Sequence, residues 1–301
     1  DALLGTIDQR PFYGLIHLME THVPYSYDDA VLSDLLASRD YPDEDLTVFF
    51  DRHSDNPYIN ETMREYSEDE DYRVGLARWF AKYDAAAVKA DRKVGKLVDE
   101  LNRRDRLENT AIIVISDHGE SLNEHGIFFE HHGLHEPQMR VPMVIGGPPL
   151  PDQHREELVQ LHDLAPTVLD LLDIDSTLSC EGQSVVSLLD SGDDGDREHV
   201  IIQEAHAQRR IGIRTLRYKY FKHVPDEVLE RERGDSYRCA YCETVHGDER
   251  ELYDLQDDPA EERNLIDEQP EVAADLDDRL TSYFHSLAYP DESDDRVEYD
   301  D

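Results

Sequence analysis

The sequence predicts an α/β fold built around a mostly parallel β-sheet, followed by a smaller C-terminal α+β part. Residues 11–20 and 111–115 are apolar segments of the length expected for buried strands. Between them, residues 72–107 carry apolar side chains every three or four positions, the pattern of an amphipathic helix. A strand, a long helix and a second strand in this order form a parallel crossover unit. The apolar positions of the predicted helix are Leu76, Phe80, Tyr83, Ala87, Ala90, Val94, Leu97 and Leu101.

Potential metal ligands directly follow the second predicted strand. Asp117, His118 and Gly119 stand where that strand ends, and ligands of open α/β sheets bind at the carboxyl ends of strands. Many imidazoles and carboxylates follow, a composition typical of a site for a hard cation or for zinc. They are Glu120, Glu124, His125, Glu130, His131, His132, His135 and Glu136. This segment predicts a metal-assisted hydrolase.

A further candidate residue, His22, follows the first predicted strand. Pro24 ends that strand and holds the turn after it, which presents His22 at the edge of the sheet. A single histidine is more often structural than functional. Its place at the end of a second strand makes His22 a candidate for the active site.

The second half of the chain alternates shorter elements. Residues 141–145 predict a strand, and residues 159–174 predict a helix in which Pro166 suits the first turn. The side chains expected to face the sheet are Leu161, Leu164, Val168, Leu171 and Leu172. His162 and Asp163 lie at the start of this helix, where a structural or capping role is favoured over a place in the active site.

A glycine–aspartate run at residues 190–196 marks a predicted boundary between two domains, residues 1–190 and 191–301. After it, residues 200–205 and 210–221 predict strands of an antiparallel hairpin or meander. Residues 251–266 are rich in turn-forming residues, and residues 270–287 predict a last amphipathic helix.

The charge of the chain is strongly negative. It has 70 acidic and 30 basic residues, a formal net charge of −40, and only six of the basic residues are lysines. Repulsion on this scale destabilises a compact fold in dilute buffer and is screened by salt, so the composition predicts a halophilic protein. The 39% of hydrophobic residues and the periodic segments argue against a disordered acidic chain. Nucleic acid and anionic membrane surfaces are excluded as expected partners.

The cysteines offer a possible second metal site. Three cysteines cannot form a disulfide framework, and their number is compatible with a reducing compartment, so a cytoplasmic location is favoured. Cys239, Cys242 and His246 have a spacing that would suit three ligands of a structural zinc ion. A fourth ligand is not evident, and unliganded thiols in a loop are the alternative.

Several segments, in sequence order, resemble the sulfatase family of the alkaline phosphatase-like superfamily. The resemblance is most specific at residues 116–126 (SDHGESLNEHG) and 140–148 (RVPMVIGGP). It extends to residues 17–25 (HLMETHVPY), 83–117, 162–174, 180–189, 214–221 (RTLRYKYF) and 251–265 (ELYDLQDDPAEERNL). The resemblance implies a three-layer sandwich around a mostly parallel sheet, and a sulfuric ester hydrolase acting on a small-molecule or carbohydrate sulfate ester.

The resemblance also implies roles for single residues. Asp117 and His118 match the residues that bind the family's divalent cation, which is Ca²⁺, although an imidazole ligand leaves Mn²⁺ or Zn²⁺ open. His22 matches the histidine that helps to protonate the leaving oxygen. His131 stands where the family has a lysine that contacts the substrate, so the charge at this position depends on pH.

The nucleophile of the family is not found in this sequence. Sulfatases carry a Cys/Ser-x-Pro-x-Arg motif whose first residue becomes formylglycine, and no cysteine of this chain is followed by that pattern. We expect the motif and two acidic metal ligands upstream of Asp1, and we expect this chain alone to be inactive. A phosphodiesterase or phosphonate monoester hydrolase of the same superfamily remains an alternative, as does a non-catalytic binding module.

Overall fold

The computed structural model describes residues 11–42, 76–147, 150, 152–176, 180–189, 195–224, 238–240 and 245–288. The chain divides into two compact units, an N-terminal unit of residues 1–110 and a C-terminal unit of residues 111–301. The domain boundary predicted near residue 190 stays a prediction. Within the described ranges, no helix has the length and apolar character needed to cross a membrane.

The described part of the N-terminal unit contains two α-helices, α1 (Asp29–Ser38) and α2 (Leu76–Arg103). Leu32 of α1 packs against Ala81 and Ala85 of α2, where the small alanine side chains let the two helices approach closely. The predicted helix is confirmed, but its predicted apolar stripe is only partly right. Leu101 is buried, whereas Ala87 is exposed, because α1 covers a neighbouring face of α2.

The strand predicted at residues 11–20 is wrong. Residues 11–19 have no β-pairing in the structure, and Tyr13 and Leu15 are 72% and 78% exposed. An apolar composition alone does not make a strand, because the backbone also needs a partner for its ladder of hydrogen bonds. The turn that follows is anchored to α2, since the buried carboxylate of Glu20 pairs with Lys93. The hydrogen bond from Lys93 lowers the pKa of Glu20.

The C-terminal unit begins with strand β1 (Ile112–Ile115), followed by the short helix α3 (Glu136–Met139) and strand β2 (Met143–Gly146). β1 and β2 pair antiparallel, with Ile113 opposite Ile145. Both predicted strands are confirmed in place, but β1 is half-buried rather than buried. Every strand pairing within the described residues is antiparallel, so the parallel character predicted for the sheet is not confirmed.

An antiparallel meander forms the second sheet of this unit. Its strands are β3 (Val200–Glu204), β4 (Arg210–Arg214), β5 (Tyr218–His223) and β6 (Arg250–Asp254), in that spatial order. The hairpin or meander predicted for residues 200–221 is confirmed. Strand β6 was missed, because the sequence predicts only turns there.

The meander has an apolar core on each face. Helix α5 (Pro270–Ala288), which confirms the last predicted helix, covers one face with Leu276 and Leu280 packed against Tyr220. The other face packs Phe221 against Leu134, from the segment between β1 and α3. The meander is therefore the surface on which the segment that follows β1 rests.

Helix α4 (Leu164–Leu171) lies where the sequence predicts a helix, but its predicted apolar face is only partly right, since Leu164, Val168 and Leu171 are half-buried. Leu161 and Leu172 are exposed, whereas Asp163 and Thr167 are buried. Asp163 accepts hydrogen bonds from the backbone amides of Gln160 and Gln183, and it pairs with Arg197. The structural role predicted for Asp163 is thereby confirmed.

Candidate active site

The segment that follows β1 is held in place by close backbone contacts. The amide of Gly119 donates to the carbonyl of Gln138 at 2.8 Å, so the strand end is tied to α3. A Cβ atom at position 119 would lie 1.9 Å from the carbonyl oxygen of Pro137. Only glycine permits this approach. Further along, Ser121 and Glu130 exchange backbone hydrogen bonds of 2.9 and 3.3 Å, which close the segment into a loop.

This loop brings two imidazoles and a carboxylate together. One potential ligand atom from each of His118, Glu120 and His131 lies within 4.8 Å of the other two. We call these three residues the donor cluster. The rings of His118 and His131 stack with their centroids 4.2 Å apart. The Glu120 carboxylate, only 7% exposed, has an oxygen 4.0 Å from Nδ1 of His131.

The ring of His118 is oriented by the backbone. Its Nδ1 lies 2.8 Å from the carbonyl oxygen of Gly119, so an Nδ1–H donates to that oxygen and the lone pair stays on Nε2. Nε2 lies 3.8 Å from a carboxylate oxygen of Asp117, whose side chain is 71% exposed. Asp117 therefore stands at the open edge of the donor cluster, where it can complete a set of ligands.

The predicted site residues fall into two groups. Asp117, His118 and His131 lie together, although His131 had been predicted as a substrate contact rather than as a member of a donor cluster. Glu120 had been named only among the imidazoles and carboxylates after the strand and was given no role: its position two residues after His118 was the available signal, but acidic residues are too common in this chain to be diagnostic. His22 belongs to the N-terminal unit and is exposed, with Nδ1 2.6 Å from the carbonyl oxygen of Val23. Its catalytic role stays a prediction.

The donor cluster fits a divalent cation. A buried carboxylate beside two imidazoles, with a second carboxylate at the edge, is a mixed oxygen and nitrogen donor set. Imidazole suits zinc better than calcium, which prefers oxygen ligands throughout, and it leaves manganese open. The residues present therefore accept a divalent metal, and the imidazoles favour a transition metal.

Buried ion pairs fix the loop to the meander. Glu136, at the start of α3, lies 2.8 Å from Nζ of Lys219 and 3.1 Å from Nε of Arg214. Burial alone would raise the pKa of Glu136, but Lys219 and Arg214 outweigh it and lower the pKa to about 2. Lys219 also donates to the carbonyl of Leu134 at 2.9 Å, three residues after His131.

A second buried carboxylate, Glu251, lies beside His135, a histidine outside the donor cluster. It accepts from Arg210 at 2.6 Å and from the Tyr253 hydroxyl at 2.5 Å, and it lies 3.3 Å from Nε2 of His135. Burial opposes ionisation, yet His135 and Arg210 lower the pKa of Glu251 to about 2. His135 stacks on His125 with centroids 3.7 Å apart, so these two imidazoles serve packing.

Comparison with known proteins identifies the family. The family profile described as "Sulfatase" matches residues 1–174, and the profile described as "N-sulphoglucosamine sulphohydrolase, C-terminal" matches residues 123–286. The chain belongs to the sulfatase family. The resemblance inferred from the sequence is thereby confirmed, and the donor cluster lies within residues 1–174, the range that the "Sulfatase" profile matches.

Among sulfatases, the chain is similar to arylsulfatase K of Mus musculus, with 27% identity over 67% of this chain and 35% of that protein. It is 31% identical to the choline-sulfatase of Rhizobium meliloti over 59% of this chain and 31% of that protein. A Delta 4,5-hexuronate-2-O-sulfatase of Bacteroides thetaiotaomicron is 25% identical over 73% of this chain and 44% of that protein. The chain thus spans about a third to less than half of the length of these relatives.

Solved structures confirm the fold. A protein in complex with its substrate D-glucosamine-2-N,6-O-disulfate matches with a TM-score of 0.55 and 22% identity, over 79% of this chain and 47% of that one. The phosphonate monoester hydrolase of Agrobacterium radiobacter matches with a TM-score of 0.54 and 21% identity, over 75% of this chain and 46% of that one. At this level the predicted α/β class and the alkaline phosphatase-like fold are confirmed.

Proposed function

We propose that the chain is part of an enzyme that hydrolyses sulfate esters and that the donor cluster, with Asp117, holds the divalent cation of its active site. The observation that carries the proposal is the convergence of His118, Glu120 and His131 at the end of β1 in a sulfatase chain. When bound, the cation supplies positive charge that polarises the sulfate group.

The residues of this chain have separate tasks in the proposal. Glu120 and Asp117 supply anionic oxygens, and His118 presents Nε2 because its Nδ1 is turned towards a carbonyl. His131, stacked on His118, also contacts the ester oxygens of the substrate. His22 gives a proton to the leaving oxygen, as the family resemblance implies.

The nucleophile is a formylglycine in a segment upstream of Asp1. This proposal is supported by the exposed apolar side chains of residues 11–19, which are typical of a surface that packs against more protein. The substrate is a small-molecule or carbohydrate sulfate ester, the chemistry that the names of the relatives describe. Calcium is the ion that the family resemblance implies, and the imidazoles leave manganese or zinc open. The cytoplasmic location stays a prediction.

The decisive assay compares two substrates on the full-length protein in concentrated salt. An aryl sulfate and an aryl phosphate diester each release a coloured phenol, so their kcat/KM values are compared directly with Ca²⁺, Mn²⁺ or Zn²⁺ present. The sulfate is expected to react faster with at least one ion. Faster hydrolysis of the phosphate diester would contradict the sulfatase proposal and favour the phosphodiesterase alternative.

Two carboxylates near His131 offer a matched test of the metal ligands. Glu120 belongs to the donor cluster, whereas Glu130 lies 3.9 Å from His131 without belonging to it. Glu120→Gln is expected to weaken Mn²⁺ binding roughly 10-fold to 100-fold, the range typical of altered metal sites, and Glu130→Gln less than that. Equal metal affinity in the wild type and in Glu120→Gln would remove Glu120 from the site.

A phosphodiesterase or phosphonate monoester hydrolase is the second candidate, and the two imidazoles of the donor cluster favour it, because they suit the transition metals. The aryl substrate assay separates it from the sulfatase. A non-catalytic module is the remaining alternative. An intact Cys/Ser-x-Pro-x-Arg motif upstream in the same reading frame would exclude that alternative, and a start codon directly before Asp1 would support it.

A further inference from the structure

A second cluster of metal-type donors lies in the C-terminal unit, outside the donor cluster. His132, Cys239 and His246 are all more than nine-tenths buried, and one potential ligand atom of each lies within 4.8 Å of the other two. The cluster contains sulfur, whereas the donor cluster contains only oxygen and nitrogen donors. We propose that His132, Cys239 and His246 bind a structural zinc ion that fastens the long connection between β5 and β6 to the loop after β1.

The donor types and distances suit zinc. Thiolate and imidazole are the usual ligands of structural zinc, and tetrahedral bonds place a sulfur and a nitrogen ligand about 3.6 Å apart. Sγ of Cys239 lies 3.9 Å from Nε2 of His132, close to that value. The rings of His132 and His246 have their centroids 5.3 Å apart. The three donor atoms need to move only slightly closer together to bind one ion.

Gln208 orients the imidazole of His132. Its side-chain amide lies 3.0 Å from Nδ1 of His132, with the amide nitrogen placed towards the ring. The two ends of a glutamine amide are assigned from the hydrogen-bond network. In the reversed orientation the buried Oε1, which has no hydrogen-bond partner as placed, accepts from an Nδ1–H. Nε2 then carries the lone pair towards Cys239, as in the ligand pairs that support zinc-bound histidines.

The backbones of the other two ligands are also fixed. The amide of Ala240 donates to the carbonyl of Ala207 at 2.9 Å, which ties the turn at Cys239 to the connection between β3 and β4. The buried guanidinium of Arg210 donates to the carbonyl of His246. Both anchors belong to the meander or its connections, so the three ligands are presented from a rigid base.

The sequence had linked Cys239 and His246 with Cys242 as possible zinc ligands. The structure brings Cys239 and His246 together and adds His132, and Cys242 lies outside the described residues. The proposed zinc site does not depend on the proposed sulfatase activity. The cobalt spectrum and the reactivity of Cys239 therefore test the zinc site whether or not the protein hydrolyses an aryl sulfate.

Cobalt substitution of the full-length protein tests the site, because a thiolate ligand gives Co²⁺ an intense ligand-to-metal charge-transfer band. The donor cluster cannot give such a band, since it has no sulfur. The band is expected in the wild type and in Cys180→Ser, which changes an exposed cysteine and serves as the control. It is expected to vanish in Cys239→Ser and to need higher cobalt concentrations in His246→Asn. A wild type without the band, or a band that persists in Cys239→Ser, would overturn the proposal.

A measurement on the wild type covers the case in which Cys239→Ser does not fold. Alkylation of Cys239 and Cys180 is followed by peptide mass spectrometry in the chelator-treated and zinc-loaded protein. Zinc is expected to slow the alkylation of Cys239 at least 10-fold and to leave Cys180 unchanged. An equal rate at Cys239 in both states would refute a zinc–thiolate bond.

Discussion

Nζ of Lys219 lies 2.8 Å from Oε1 of Glu261, and neither side chain has any exposed surface. Lys219 belongs to the segment RTLRYKYF and Glu261 to the segment ELYDLQDDPAEERNL, two of the stretches that resemble sulfatases. Glu261 in turn accepts a hydrogen bond of 2.6 Å from the backbone amide of Glu136, in the segment that follows the donor cluster. These separate stretches of sequence thus meet in one buried group of charges beside the segment that follows the donor cluster.

Replacing Lys219 by methionine is expected to destabilise the protein by about 3 to 5 kcal/mol, because Glu261 would remain buried without its cation and Glu136 would keep only Arg214. Lys222, three residues later on β5, is the matched control, since it pairs with Asp277 in a partly exposed position. Lys222→Met is expected to cost less than about 1 kcal/mol. Guanidinium denaturation measures the free energy of unfolding of both variants. Equal losses of stability would show that the buried pairs of Lys219 contribute no more than the partly exposed pair of Lys222.

Replacing Asp163 by asparagine is expected to destabilise the protein by several kcal/mol. Arg197 would lose the carboxylate that accepts hydrogen bonds from both of its Nη atoms. Burial alone would raise the pKa of Asp163. The hydrogen bonds from Arg197 and from the amides of Gln183 and Gln160 outweigh burial, so the pKa lies below its ordinary value. The neighbouring His162 is exposed, so His162→Asn is expected to leave the melting temperature unchanged. A larger fall in melting temperature for His162→Asn than for Asp163→Asn would contradict the structural role assigned to Asp163.

His223 is expected to make the protein sensitive to mild acid. Burial and the nearby Arg210 lower its pKa from 6.5 to about 4, so the folded protein holds this imidazole neutral. Its contribution to stability is present above pH 6.5 and is lost as the pH falls from 6.5 towards 4. His223→Gln keeps a donor for the carbonyl of Gln208 and an acceptor for Arg210 without titrating. The free energy of unfolding is expected to fall less between about pH 7 and pH 5 in this variant. Equal pH slopes would exclude His223 as a source of the acid sensitivity.

The net charge of −40 predicts strong stabilisation by salt. Raising KCl from about 0.1 M to about 1 M shortens the screening length from roughly 10 Å to roughly 3 Å, which weakens repulsion between surface carboxylates. The melting temperature is expected to rise over this range, and to rise less in sucrose of equal osmolality. A melting temperature that does not respond to KCl would contradict the halophilic interpretation.

The sequence was a good guide where local patterns suffice. The alternation of residues 200–221 predicted the meander strands, and the Asp-His-Gly triplet placed Asp117 and His118 correctly at the end of a strand. It failed where a feature depends on distant partners. Residues 11–20 are apolar but have no strand partner among the described residues, and β6 exists because it pairs with β5 across a long connection. His132 meets Cys239 from 107 positions away, a distance that no local spacing reveals.

His131 and His132 are consecutive, yet one belongs to the donor cluster and the other to the proposed zinc site. A single peptide bond therefore joins a proposed ligand of each metal. Any shift in the backbone that accompanies the loss of one ion is transmitted directly to a ligand of the other. A preparation that contains too little zinc would on this account show weakened binding of the catalytic ion as well, and its low activity would be mistaken for a defect in catalysis.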